Sequence, residues 1–217
     1  MAAARALSAL FTLPGPAAAL IVALLAALPA AAQEDAGEAV GRIGGLIGDA
    51  RLVSAEGDSR PAAEGVPVEL GDRVITGPGS RLELVFADGS RVVIGSTSDL
   101  SIERYLTSAG GTRRNAVLSL LDGILRAIVR PGGGEFEVES RAAVASVRST
   151  ELVVDVWRTR TAVFVREGRV DVLGRSGPLR TLEPGEGVGV RFGGPVPQPG
   201  RWSQERIDEV LARTSDP

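Results

Sequence analysis

Arg81-Leu82-Glu83-Leu84-Val85-Phe86-Ala87-Asp88-Gly89-Ser90-Arg91-Val92-Val93-Ile94 is the stretch that decides the fold. Leu82, Leu84 and Phe86 alternate with Arg81, Glu83 and Val85, the period of two that gives a strand one dry and one wet face. Asp88-Gly89 then predicts a hairpin, because glycine adopts a positive φ without steric cost. Val92 and Ile94 resume the apolar face on the return strand.

The same grammar extends outward from this hairpin. Leu118 and Leu120 lead to Asp122-Gly123, and Leu125, Ala127 and Val129 follow, which predicts a second turn at Asp122-Gly123. Leu152, Val154 and Val156, then Val163 and Val165, a Glu167-Gly168 turn, and Val170 and Val172 give a third instance. Short strands with one wet face must cover the other with a second sheet or by curling on themselves. The predicted fold class is all-β, a curled β-sandwich or solenoid-like β-roll with a short C-terminal helix. A β-barrel belongs to the same set of solutions.

Five segments are expected along the 217 residues. Residues 1–32 read as a signal peptide: Arg5 is the sole charge before Glu34, an apolar run spans Ala17 to Leu28, and Ala30-Ala31-Ala32 offers a small-residue cleavage site. That run is shorter than the ~20 residues of a membrane span, so no span is expected after cleavage. Residues 33–39 form a flexible lead-in, 40–192 the β-domain, and 193–200 a Gly/Pro linker. Residues 201–217 hold the helix and a tail. Ser203 is its expected N-cap, and Trp202 is placed to pack on Ile207 as a hydrophobic staple. The helix docks back on the β-domain or presents its apolar face to a partner.

Composition removes whole classes of chemistry. The chain has no histidine, cysteine or lysine, and all 24 basic residues are arginine. A histidine-assisted nucleophile, a lysine Schiff base, a Walker lysine, a nitrogen- or sulfur-ligated zinc and a disulfide cannot be built. A net charge of −3 and 4% aromatic residues give no footprint for nucleic acid.

Two further motifs mark the family. Gly71-Asp72-Arg73-Val74-Ile75-Thr76-Gly77 fits a G-D-x-[VI]-x-T-G segment, and Val147-Arg148-Ser149-Thr150-Glu151-Leu152 fits V-R-G-T-E-[FL]. Around them lie a glycine-rich opening strand at Val40-Gly41-Arg42-Ile43, Asp88-Gly89-Ser90, the small-polar turn Gly95-Ser96-Thr97-Ser98, and Val165-Arg166-Glu167-Gly168-Arg169-Val170, expected as a hairpin. In this order, over Val40 to Phe192, they resemble the FecR-like domain of bacterial envelope proteins. Ser149 departs from the family's glycine. Family regulators of iron-uptake sigma factors carry a cytoplasmic segment, a membrane helix and a C-terminal transporter-contacting domain around this β-domain. None of these is expected here, so the resemblance implies a stand-alone exported form, periplasmic or secreted.

Glu151/Asp155 and Asp99/Glu103 lie four apart on strands, roughly 13 Å between partners, too far for a glycosidase-type pair. Asp88 is a turn residue. Gly185-Glu186-Gly187-Val188-Gly189 is a turn into a last strand, and Gly132-Gly133-Gly134 a flexible connection. Arg148 is expected half-buried and paired with Glu151 or Asp72, with an acidic glycan or partner carboxylate as the alternative. No catalytic, cofactor-binding or metal residue is named, and no cofactor is expected. The function expected is a non-enzymatic module that binds an envelope protein or glycan, within signalling. The competing reading is a β-barrel that binds a glycan or small molecule, which a deep pocket lined by Trp157 or Trp202 would favour.

Overall fold

The computed structural model describes residues 39–217. The predicted signal peptide and residues 33–38 of the lead-in lie outside the described residues. The chain begins with β1 (Ala39–Ile47), β2 (Ala50–Val53), β3 (Ser59–Pro61), β4 (Pro67–Glu69), β5 (Arg73–Thr76) and β6 (Arg81–Phe86). Next come β7 (Arg91–Ile94), β8 (Asp99–Thr107), β9 (Arg113–Ile128), β10 (Glu135–Glu139), β11 (Ala143–Val147) and β12 (Glu151–Trp157). β13 (Arg160–Glu167), β14 (Val170–Gly174), β15 (Arg180–Leu182), β16 (Glu186–Arg191), β17 (Gly200–Arg201) and α1 (Gln204–Arg213) follow.

The strands form two sheets that share β9. One runs β4-β1-β6-β7-β9-β12-β13-β16-β17, antiparallel throughout. The other runs β3-β2-β5-β8-β9-β10-β11-β14-β15, antiparallel except for the parallel β9/β10 pair. The period-two residues meet between the sheets: Leu82, Leu84, Phe86, Val92, Ile94, Leu118, Leu120, Leu152, Val154, Val163 and Val165 share one core. Each such burial contributes ~1.5–3 kcal/mol. Among the described residues the sandwich is open, with β3, β4, β15 and β17 at its edges, so the alternative of a closed β-barrel fails.

Two expected turns also prove to be something else. Asp88-Gly89 joins the paired strands β6 and β7 as a hairpin. Asp122-Gly123 instead lies inside one continuous strand, β9. Its first part pairs with β8 and β10, and from Gly123 onward it pairs with β12 and β7. Gly123 (φ +88°) bends the strand from one sheet into the other, and a Cβ there would lie 2.1 Å from Ser98 Oγ. Glu167-Gly168 likewise links β13 to β14, which lie in different sheets, so it is a corner and not a hairpin.

The C-terminal segment covers the outer face of the first sheet. Ser203 caps α1, its side chain accepting from Arg206 N at 3.4 Å. Val210 is buried against Ile124, Val153 and Phe164, joined by Trp202, Ile207 and Leu211, and Trp202 stacks on Phe164 with ring centroids 5.0 Å apart. Bare backbone makes room for it: a Cβ on Gly187 would sit 2.4 Å from Trp202 Nε1, and one on Gly95 2.9 Å from the Arg213 carbonyl oxygen. Asp155, on the same face and 1% exposed, takes both guanidinium nitrogens of Arg213, at 2.5 and 3.3 Å. Beyond the helix, Asp216 pairs with Arg126. No helix among the described residues is long and apolar enough to cross a membrane.

Two outcomes follow from this docking. Gly187→Ala should displace Trp202, shift its fluorescence to the red and cost about 1–3 kcal/mol in urea denaturation; unchanged fluorescence and stability would refute the packing argument. Burial pushes the Asp155 carboxyl above its usual pKa, and Arg213 only partly reverses this. A raised folded-state pKa means that this group's contribution is complete below the unfolded pKa and is lost as pH rises through the folded one. Asp155→Asn cannot lose it, so the Tm of the variant minus that of the parent should increase between about pH 4 and pH 7. A constant difference would contradict this.

Candidate functional site

Arg113, at the start of β9, is 1% exposed. A buried guanidinium needs its charge paired and its N–H groups accepted, and Arg113 achieves this at both Nη atoms but not at Nε. Arg113 Nη1 forms an ion pair with Asp88 and donates to Ser90 Oγ at 3.0 Å. Nη2 donates to the carbonyl oxygens of Gly134 at 3.0 Å and Arg148 at 3.3 Å. The guanidinium lies over the Phe136 ring, 5.4 Å from its centroid. Asp88 also accepts from Ser90 N and Ser90 Oγ, at 2.9 and 2.8 Å. Its own N–H donates to the Tyr105 hydroxyl at 3.1 Å. Tyr105 stacks on Phe86, and burial pushes its phenol up to about 12. One arginine thus ties together the β6/β7 hairpin, the glycine run and the Val147–Leu152 motif.

The motifs occupy corners where the chain changes sheet. Thr76 Oγ1 donates to the Gly95 carbonyl oxygen at 2.6 Å and accepts from Ser98 N at 2.9 Å, which pins the β7-to-β8 corner. Thr150 Oγ1 donates to the Arg169 carbonyl oxygen at 3.0 Å, which pins the β13-to-β14 corner. Buried backbone at a corner leaves the ladder and needs such side-chain partners. Ser149 lies in the β11-to-β12 corner without a positive φ; among the described residues Thr97 (φ 53°) is the sole non-glycine with one. The family's glycine position is therefore accommodated here in ordinary backbone.

Arg148 and Ser149 are exposed, as a ridge between two shallow clefts. One cleft, about 540 Å³, is lined by Gly89, Arg91, Arg130, Glu151 and Glu167. The other, about 470 Å³, is lined by Glu135, Arg148, Arg169, Asp171 and Thr181. Both also take in Ser149 and Thr150. Each cleft mixes acids with guanidiniums.

Residues 72–171 match the family model described as FecR protein. Over those residues the chain is similar to the FecR family. Its fold is that of two crystal structures, at 2.50 and 1.65 Å resolution, of a candidate anti-sigma factor from Parabacteroides distasonis ATCC 8503. The TM-scores are 0.54 and 0.53 at 20% and 21% identity. The alignments cover 64% of this chain and 63% and 64% of those chains, so this chain spans less than two thirds of their length. Among curated proteins nothing matches.

Several expected placements change within this stretch. Arg148 is exposed, and no carboxylate pairs with it among the described residues. Asp72, 1% exposed, accepts instead from Arg60 Nη2 at 2.7 Å and Glu69 N at 2.9 Å. Glu151 takes Arg166 at 2.8 Å. Asp99 is paired with Arg73, and Asp155 with Arg213. Two of the three glycines in the run are closely packed, while Gly132 faces open space: a Cβ on Gly133 would meet Arg113 Nη2 at 2.8 Å, and one on Gly134 the Arg114 carbonyl oxygen at 1.9 Å. Arg113 itself was missed. Its one sequence signal is a charge on a strand directly upstream of the apolar run that begins at Ala116.

Arg113→Met should destabilise the domain by about 3–5 kcal/mol, because it strands a buried carboxylate and two carbonyls. Adding Asp88→Asn should restore part of that loss in a double-mutant cycle. Arg148→Ala should leave Tm within about 1 °C of the parent. Comparable losses for Arg113→Met and Arg148→Ala would overturn this assignment.

Proposed function

We propose that this FecR domain is a non-enzymatic, exported module of the cell envelope that engages a protein partner through the Arg148-Ser149 ridge, within envelope signalling. The observation that carries the reading is the division of labour inside Val147–Leu152. Thr150 and the Arg148 backbone are committed to the scaffold, whereas the Arg148 side chain and Ser149 remain free and exposed between two clefts. The clefts are shallow and of mixed charge, as suits a docked polypeptide.

The sheet edges support side-chain recognition over strand addition. β3, β4 and β15 have three residues each and β17 two, with Pro61 and Pro67 inside the first two. Short edges with proline resist pairing with another chain. The fold shared with a candidate anti-sigma factor supports a place in signalling, and the signal-like residues 1–32 support a periplasmic or secreted location.

A photo-crosslinking amino acid at position 149, introduced in the native bacterium, tests the reading. A discrete protein adduct in the envelope fraction, reduced by Arg148→Glu, is the expected result. Recovery of glycan alone, or of no adduct, would overturn it.

A further inference from the structure

A second polar site lies at the other end of β12 from the ridge motif, where the β12/β13 hairpin meets α1. It is a pocket of about 210 Å³ lined by Asp155, Trp157, Arg160, Trp202, Arg206, Glu209, Val210 and Arg213. Three guanidiniums face two carboxylates there. Arg213 and Asp155 satisfy each other, and Glu209 is exposed on α1. Arg160 and Arg206 have no carboxylate partner among the described residues. Both are held by stacking: Arg160 Cζ lies 4.4 Å from the centroid of Trp157, its cross-strand partner, and Arg206 Cζ lies 3.4 Å from that of Trp202. Trp202 is in turn fixed against Phe164.

We propose that this pocket receives a carboxylate side chain, aspartate or glutamate, of a protein partner. A guanidinium stacked on an indole has its face occupied and its N–H edge free, the arrangement that accepts a carboxylate in bidentate fashion. Burial and the neighbouring Arg160 guanidinium hold Arg206 below its ordinary pKa, with Glu209 and Asp155 offsetting part of this, yet an arginine stays charged. An incoming anion relieves that repulsion. Size selects the occupant. The pocket is smaller than the ~300–1,000 Å³ of small-molecule sites but holds the end of one side chain. Its rim is tryptophan and arginine, the residue types that dominate binding hot spots between proteins, and Trp157 is 37% exposed. The inference deepens the protein-binding reading and concerns a face separate from the Ser149 clefts.

The chain has two tryptophans, so two indole N–H signals report on the pocket in ¹⁵N NMR. The probes are N-acetyl-glutamate amide and the isosteric N-acetyl-glutamine amide, titrated at constant ionic strength. The glutamate probe should shift the indole signals saturably, with a Kd on the order of 1–10 mM, and the glutamine probe should not. Arg160→Gln and Arg206→Gln should each weaken the response by about tenfold, with the remaining spectrum unchanged as the check on folding. Equal response to both probes, no saturable shift, or a response that survives both substitutions would overturn the proposal. Tighter binding of glucuronate than of the glutamate probe would also overturn it, by assigning the site to an acidic sugar. Loss of this response with the Ser149 crosslink intact would remove the pocket alone; the reverse would remove the ridge alone.

Discussion

Burial of one guanidinium, that of Arg113, is the constraint on which the motif end of the molecule depends. Charge so far from water is tolerated only when paired and hydrogen-bonded, and the partners it recruits come from three separate pieces of chain. Asp88 and Ser90 come from the hairpin, Gly134 from the glycine run, and Arg148 contributes only its carbonyl oxygen. The glycines at 133 and 134 are there because the backbone must close over that guanidinium and the strand beside it. What looked like separate local signals are contributions to one junction.

The strands were legible because burial imposes a period of two wherever one face is dry. The cap at Ser203 was legible because it is satisfied within one helical turn. The dipeptides were less informative. Asp88-Gly89, Asp122-Gly123 and Glu167-Gly168 all supply a glycine with positive φ, yet one makes a hairpin, one bends a strand, and one turns a sheet corner. Positive φ permits reversal; which strand then pairs with which is decided by the two-sheet packing. Among arginines the limit is sharper. Nothing local distinguishes Arg113 from Arg148, because burial is set by residues twenty or more positions away. The pocket between Trp157 and Trp202 was anticipated only as a place to look, since it needs the helix to fold back before its arginines meet.

The corners explain why threonine recurs in the motifs. Each change of sheet releases backbone groups from the ladder, and a β-branched hydroxyl supplies a stiff, compact replacement partner. Thr76 and Thr150 do this at corresponding places in the two halves of the sandwich. Scaffold and recognition surface are therefore interleaved residue by residue, so a motif match alone does not identify which side chains face a partner.

The family match ends at Asp171, inside β14, but β16 pairs with β13 and α1 covers the outer face of the same sheet. The unit that sequence comparison recognises is thus smaller than the unit that is packed. A fragment cut at residue 171 would bare β13, whose Thr161-Ala162-Val163-Phe164-Val165 run contains no charge and no proline. Such an edge is a template for copy-to-copy strand pairing. The forty-six residues after that point, outside the family match, therefore cover an edge that would otherwise be open to self-association, besides lending Trp202 and Arg206 to the pocket on α1.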